Sequence, residues 1–413
     1  MNSRLYSIFR AFAWACTLSP LLTPSIAIAY DIFDYQGGSA KVFGGAGITE
    51  GRGSDAILYN PANLTLSRGL EYHIDFAPSN LQYKFTPAEP GYGTGDVNIP
   101  FVPLVSGGVA LKQKKSPLAF GLIFVPTGVG TETEVKDFPV STAGVLQVAD
   151  VKSTRKAYKL GFGLAYRING SYSVGMSFVY SLLDSTSSVV LNGEPFLSVS
   201  NKNSFIIPRL GFRYRKKGLF TLGIEIQPQV KSWYSLSADV TGANSVNTYR
   251  QTYRPRVYGI GAKTAFNGPY QLFAQYRYEN WVDGTFASID PTQALTGDAP
   301  TEFLNAHSYI LGGTQRIEGL GTGIASFSFF GPNKGQGVYD ENGEVAFYGR
   351  GAQDFESLKR YHITAGLNRH YKKGSDRYYV SYIRGTGLSE ENSPSAGFYE
   401  LTIYMLGYGK VIR

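Results

Sequence analysis

YKLGFGLAYRINGSYSVGMSFVYSL, residues Tyr158 to Leu182, is the stretch from which the fold can be read. Tyr158, Leu160, Phe162, Leu164, Tyr166 and Ile168 share one face, and Lys159, Gly161, Gly163, Ala165 and Arg167 share the other. Asn169-Gly170, a favoured hairpin turn pair, follows. A second run then sets Tyr172, Val174, Met176, Phe178, Tyr180 and Leu182 against Ser173, Gly175, Ser177, Val179 and Ser181. A period of two means strand. One face is large and apolar while the other is small and polar, as in a barrel with lipid outside and a crowded or wet interior.

The unit recurs in both directions from this hairpin. Leu210, Phe212 and Tyr214 alternate with arginine and glycine; Phe220, Leu222, Ile224 and Ile226 alternate with Thr221, Gly223, Glu225 and Gln227. The same pattern spans Tyr270 to Glu279 and Tyr361 to Asn368. Strands are expected at 69–85, 103–114, 117–131, 156–168, 171–184, 203–215, 218–230, 253–266, 269–281, 305–316, 321–331, 358–371, 376–385 and 397–410. Tight turns near Lys114–Ser116, Asn169-Gly170, Lys216-Lys217, Asn267-Gly268, Glu318–Leu320 and Lys372–Ser375 alternate with long connections at 86–102, 132–155, 185–202, 231–252, 282–304, 332–357 and 386–396. Short turns on one rim and long loops on the other mark an outer-membrane barrel. A soluble sandwich has no reason to segregate loop lengths in this way. The expected fold is all-β: a 14-stranded antiparallel transmembrane β-barrel over residues 69–413, with both ends on the periplasmic side.

Composition agrees. The chain has 413 residues, 49 glycines, 30 tyrosines, 26 phenylalanines and 17% charged residues, against roughly 25% charged in an ordinary soluble domain. The longest later uncharged run, Ser116–Thr131, falls short of the roughly 20 apolar residues of a membrane helix. Tyrosines near strand ends suit aromatic girdles. The last strand ends without a terminal aromatic, and Tyr404 and Tyr408 are expected to serve instead. Arg4 and Arg10, an uncharged stretch and Ala27-Ile28-Ala29 read as a signal peptide over residues 1–29, cleaved near Ala29-Tyr30. Cleavage removes the only cysteine, so no disulfide framework is available. The basic residues are scattered, and nothing supports a nucleic-acid partner.

Residues 30–68 do not alternate. Gly37-Gly38-Ser39-Ala40, Gly44-Gly45-Ala46-Gly47 and Gly51-Arg52-Gly53 are small, yet Val42, Phe43, Ile48, Ile57 and Leu58 make the segment too apolar for a free tail. It is expected to be a hatch plugging the lumen, because a barrel this wide needs filling. No strand precedes these glycines, so they do not form a phosphate loop.

The stretches Ser39-Ala40-Lys41-Val42-Phe43-Gly44-Gly45-Ala46-Gly47 and Asp55 to Leu64, with Asn60-Pro61-Ala62 at their centre, resemble the N-terminal hatch of the FadL/TodX family of outer-membrane transporters for long-chain fatty acids and aromatic hydrocarbons. The third strand, Phe120 to Thr131, contains Pro126, Gly128 and Gly130. Proline cannot donate to a ladder, so the strand either ends at Phe124 or kinks. The family's third strand kinks inward, and the resemblance implies a gap through which ligand leaves sideways into the bilayer. It also implies passive uptake of a fatty acid or hydrocarbon, an outer-membrane location amid phospholipid and lipopolysaccharide in a Gram-negative bacterium, and assembly by the barrel insertion machinery. A second role open to this fold is a barrel that binds a protein partner in secretion or envelope assembly.

Candidate ligand contacts are Phe101, Leu104, Phe273 and Arg277, together with Val102, Phe138, Val145 and Leu146 as groove or loop residues. Arg277 would hold a carboxylate by charge-assisted bonds or pair with Glu279 or Glu225. The upper end of the fifth strand, Ser181-Leu182-Leu183-Asp184, carries no base for a fatty-acid headgroup. Catalysis, a metal and a cofactor are not expected. His73, His307, His362 and His370 lack metal-ligand spacing, and Gly-x-Ser-x-Gly is absent.

Overall fold

The computed structural model describes residues 38–87, 95–142, 145–191, 193–240, 246–264, 268–280, 305–331, 359–388 and 397–413. The expected signal peptide and residues 30–37 lie outside them. Among the described residues fourteen antiparallel strands form one closed barrel. They are β1 (Gly69–Pro87), β2 (Gly95–Lys112), β3 (Leu118–Thr142), β4 (Val145–Arg167), β5 (Tyr172–Leu191), β6 (Glu194–Lys216), β7 (Phe220–Gln227 and Val230–Val240) and β8 (Val246–Arg254 and Arg256–Thr264). Then come β9 (Tyr270–Asn280), β10 (Ala306–Ile317), β11 (Gly321–Phe330), β12 (Lys359–Tyr371), β13 (Gly374–Leu388) and β14 (Gly397–Ile412). Pro228 and Pro255, which have no N–H, stand at the breaks in β7 and β8. Both pieces of β7 pair with β6 and with β8, so the breaks add no strand to the wall. β14 closes on β1 from Tyr72↔Ile412 to Pro87↔Gly397.

Strand positions follow the alternation, but β3 to β8 run further than it reached. Much of the expected loops 132–155, 185–202 and 231–252 is strand, as in the pairing of Thr154 with Thr186 and of Ser187 with Val199. β2 likewise starts at Gly95, inside the expected loop 86–102. These stretches lack a sustained apolar–polar alternation in sequence, as in Val189-Val190-Leu191. The backbone ladder continues there without the alternation that lipid imposes.

The outer wall is apolar. Leu272, Leu311 and Leu406 are more than 60% exposed, as lipid-facing side chains are. Tyr378 lies against Tyr408, and Tyr382 against Tyr404, with ring centroids 5.3 and 5.4 Å apart. The two tyrosines expected to stand in for a terminal aromatic are thus part of this outer layer.

Inside lies the chain from Gly38 to Ser67, folded as α1 (Gly38–Val42), α2 (Gly47–Glu50) and two 3₁₀ turns, Gly53–Leu58 and Pro61–Leu66. Glycine is too frequent for longer helices. Gly44, with φ of 64°, turns the chain where a side chain would strike Ser326 and Ser328. Ile48, Ile57 and Leu64 are fully buried against the inner wall, each contributing about 1.5–3 kcal/mol. The wall makes room with glycine. At Gly175 a Cβ would lie 2.5 Å from the Ala62 nitrogen, and at Gly223 2.7 Å from the Ile48 oxygen. The small inward face read between Tyr158 and Leu182 is therefore a seat for backbone.

Gly175→Val is expected to displace the segment and destabilise the barrel by about 1–3 kcal/mol, read as a lower thermal midpoint and raised single-channel conductance. Ala274→Val, on the lipid-facing side, is the control and should change neither.

Candidate functional site

Asn60 starts the second 3₁₀ turn and ties it to the wall. Its Oδ1 accepts from the Ala62 N–H at 3.2 Å, and Pro61 occupies the first position of the turn, where no donor is needed. Its Nδ2 donates to the Ile48 carbonyl at 3.1 Å and to the Phe212 carbonyl of β6 at 3.0 Å. Asn63 Nδ2 donates to the same Ile48 oxygen at 2.9 Å. Asn60-Pro61-Ala62 is thus a joint between two turns of the segment and the barrel, passing over Gly175 and Gly211.

Charge pairs surround this joint. Lys41 Nζ lies 3.2 Å from Asp75 Oδ2, and the Tyr379 hydroxyl donates to the same oxygen at 3.3 Å. Asp55 accepts from the backbone and the hydroxyl of Ser39, at 2.7 and 2.6 Å, with Arg377 at 3.6 Å. Lys263 reaches Glu50 at 2.8 Å, and Arg413 reaches Glu71 at 2.6 Å. Arg209 bonds both the Leu58 carbonyl and Glu225. Removing one member of such a buried pair leaves an uncompensated charge, so the Lys41–Asp75, Asp55–Arg377 and Glu50–Lys263 pairs hold the segment in one register, while Arg413–Glu71 and Arg209–Glu225 join strand to strand. The sequence reading named Glu225 as a possible partner for Arg277, but not these pairings, since inward arginines on different strands look alike until the register is known.

Toward the other rim the inner face becomes more apolar. β1 changes from Glu71, His73 and Asp75 to Ala77 and Leu81. β14 contributes Met405, Ile403 and Leu401; β6 contributes Ile207 and Phe205; β13 contributes Ile383. With Leu104, Val125, Ile310 and Phe330 they belong to one buried apolar cluster continuous with the segment. Lys159 beside Val125, Arg254 over Phe205 and Arg360 over Phe330 set cations among these apolar side chains.

Among the described residues the β6–β7 ladder lapses between Lys202↔Ser235 and Leu210↔Ile226 and then resumes, whereas the β2–β3 seam opens and does not resume. β2 and β3 pair from Lys112↔Ala119 to Gly107↔Phe124 and no further among the described residues. Yet β2 remains on β1 down to Gly95, and β3 remains on β4 out to Thr142. Pro78 and Pro103 are register partners and neither has an N–H, so theirs is a non-hydrogen-bonded pair. That turns the Pro103 nitrogen toward β3. Continuing the β2–β3 register sets Val105 opposite Pro126 and Pro103 opposite Gly128. Both prolines therefore stand where the seam would need donors. The β3–β4 ladder shifts register between Pro126 and Gly128 and again between Gly128 and Thr131, a span that includes Gly130. Leu104 and Val125 line the inner edge of the seam, and Ser54 of the segment meets it at Gly108.

The four candidate ligand residues are not brought together. Leu104 faces inward at the seam. Phe273 packs edge-on against Phe43 of the N-terminal segment, centroids 5.5 Å apart. Arg277 lies 3.4 Å from Glu279, one of the two acids expected for it. Phe101 is in β2, but its side chain lies outside the described residues, as do those of Val102, Phe138, Val145 and Leu146. Among the described residues no group of three or more histidine, cysteine or acidic side chains is placed to hold a metal ion.

No known protein family and no curated protein matches the sequence. Solved structures do match in fold. The toluene transporter TodX of P. putida superposes with a TM-score of 0.63 at 14% identity, covering 92% of this chain and 98% of that one. A FadL homologue of Pseudomonas aeruginosa gives 0.66 at 12% identity, covering 91% and 98%. The Ralstonia pickettii toluene transporter TbuX gives 0.59 at 15%, covering 92% and 98%. The chain has the fold of these barrels.

Asn60→Ala is expected to cost about 2–3 kcal/mol, measured by urea unfolding in detergent and seen as earlier proteolysis near Pro61. Asn60→Asp keeps the cap acceptor but sets an acid against two carbonyls, and should cost more.

Proposed function

We propose that this barrel is a FadL/TodX-type transporter that carries apolar molecules across the outer membrane without an energy source, releasing them sideways through the β2–β3 seam. The observation that carries the reading is the coincidence of three features. An apolar lumen lies above a bonded plug, and the wall ladder stops beside it at Pro103 and Pro126. The transport named for the TodX, TbuX and FadL structures supports the same reading.

A polar lipopolysaccharide layer resists apolar solutes, while burying each CH₂ in the lumen gains about 0.8 kcal/mol. A fatty acid or hydrocarbon captured at the extracellular end therefore moves down to Leu401, Ile403 and Ile383 unaided. Residues 38–67 act as the hatch, closing the periplasmic path through Asn60 and the pairs at Asp55 and Asp75. The remaining exit is lateral, past Leu104 and Val125 into the bilayer. Pro126, Gly128 and Gly130 keep the seam open by removing a donor and breaking the register. The chain enters the outer membrane after loss of its signal peptide, assembled by the barrel insertion machinery.

The test restores the seam. Pro103→Val with Pro126→Val supplies two N–H groups that let β2 and β3 zip upward, and uptake of a hydrophobic probe by cells bearing the variant is expected to fall to background. Unchanged uptake in a correctly inserted variant would sink lateral exit. Planar-bilayer recordings of the native barrel should show little steady conductance, and large ohmic steps would rule out a closed hatch.

A further inference from the structure

His362 is the one imidazole of the lumen whose two ring nitrogens are shielded from solvent with no hydrogen-bond partner above the charged base. It points inward from β12. Its register partners are Ser328 on β11 and Ile383 on β13. Ser328 donates to the Gly44 carbonyl at 2.6 Å, so His362 stands beside the upper surface of the hatch, where a ligand coming down the lumen stops. The Phe330 ring meets the imidazole edge-on, centroids 5.7 Å apart at 83°. One step up the strand, the Arg360 guanidinium lies over the same phenyl ring at 5.6 Å, and its Nε is also unbonded. Below, Thr364 and Ser381 satisfy each other at 2.9 Å and offer His362 nothing.

A shielded polar group without a partner costs stability, so a wall built only for hydrocarbon has no reason to carry one. A neutral imidazole presents one donor and one acceptor. A hydroxyl matches both at once, whereas an ionised carboxylate accepts only. The Arg360 guanidinium lies with its face over the Phe330 ring and can only donate, so the imidazole is the group there that can both donate and accept. Phe330 and Ile383 supply apolar surface on either side of it.

We propose that His362, with Phe330 and Ile383, forms a head-group site for a hydroxylated apolar molecule, a phenol or an alcohol, at the floor of the lumen. The inference rests on the transport reading above and names its substrate class.

Equilibrium binding of toluene, p-cresol and p-toluate to the purified full barrel tests it. The expected result is p-cresol binding about tenfold more tightly than toluene. That preference should disappear in His362→Leu, return in His362→Gln, and leave toluene binding unchanged throughout. Equal binding of toluene and p-cresol to the native barrel would overturn the head-group site and leave transport standing. Tighter binding of p-toluate than of p-cresol would overturn the hydroxyl assignment in favour of an acid site. Full p-cresol preference in His362→Leu would remove His362 from it. If none of the three binds, the transport reading fails as well.

Discussion

In hydrocarbon no water is present to bond an exposed N–H or C=O, so a membrane-spanning sheet has to close on itself. Everything else in this molecule answers to that constraint. The ladder runs from β1 through every neighbour and returns at β14. Where it stops, between β2 and β3, prolines stand in place of donors, so fewer backbone groups are left bare than in an ordinary break. An opening in such a wall is tolerable when the residues beside it have little to lose.

Closure at this strand number creates an interior that has to be filled, and the filling is divided by chemistry. At the base, ion pairs and the Asn60 joint fix the segment in one arrangement, since each removed partner would leave a charge or a carbonyl stranded. Above it, aliphatic and aromatic side chains make no such demands on whatever lies against them. Specific contacts hold the segment, and unspecific contacts dominate the zone above it. His362 stands out there because neither of its ring nitrogens has a hydrogen-bond partner.

Much of the wall was legible in the sequence because lipid imposes a period of two. Tyr158 to Leu182 reads directly as the hairpin β4–β5, and each of the fourteen strands lies on an expected one. The upper parts of β3 to β8 were not legible, since their residues do not alternate in the way that made the lower parts visible. Asn60-Pro61-Ala62 stood out as a motif, but its partners did not, because Phe212 is 152 residues away and offers only backbone. Pro126 was visible as a disruption of β3. That Pro103 faces the same seam depends on its pairing with Pro78, which no local pattern encodes. Phe273 was recognised as inward-facing, and its neighbour Phe43 becomes evident only in three dimensions.

The contacts of the N-terminal segment also set an order of events. Ser39, Lys41, Asp55 and Asn60 are synthesised before any of the wall, yet their partners Arg377 and Phe212 come hundreds of residues or more than a hundred later. Pairings of such long sequence separation form late, because loop closure has to be completed before they are rewarded. The N-terminal segment must therefore wait, undocked, while β1 to β14 are laid down around it. Sealing of the β1–β14 joint encloses it, so the barrel is built around its own contents, and anything that delays that last joint leaves the first residues of the chain without a home.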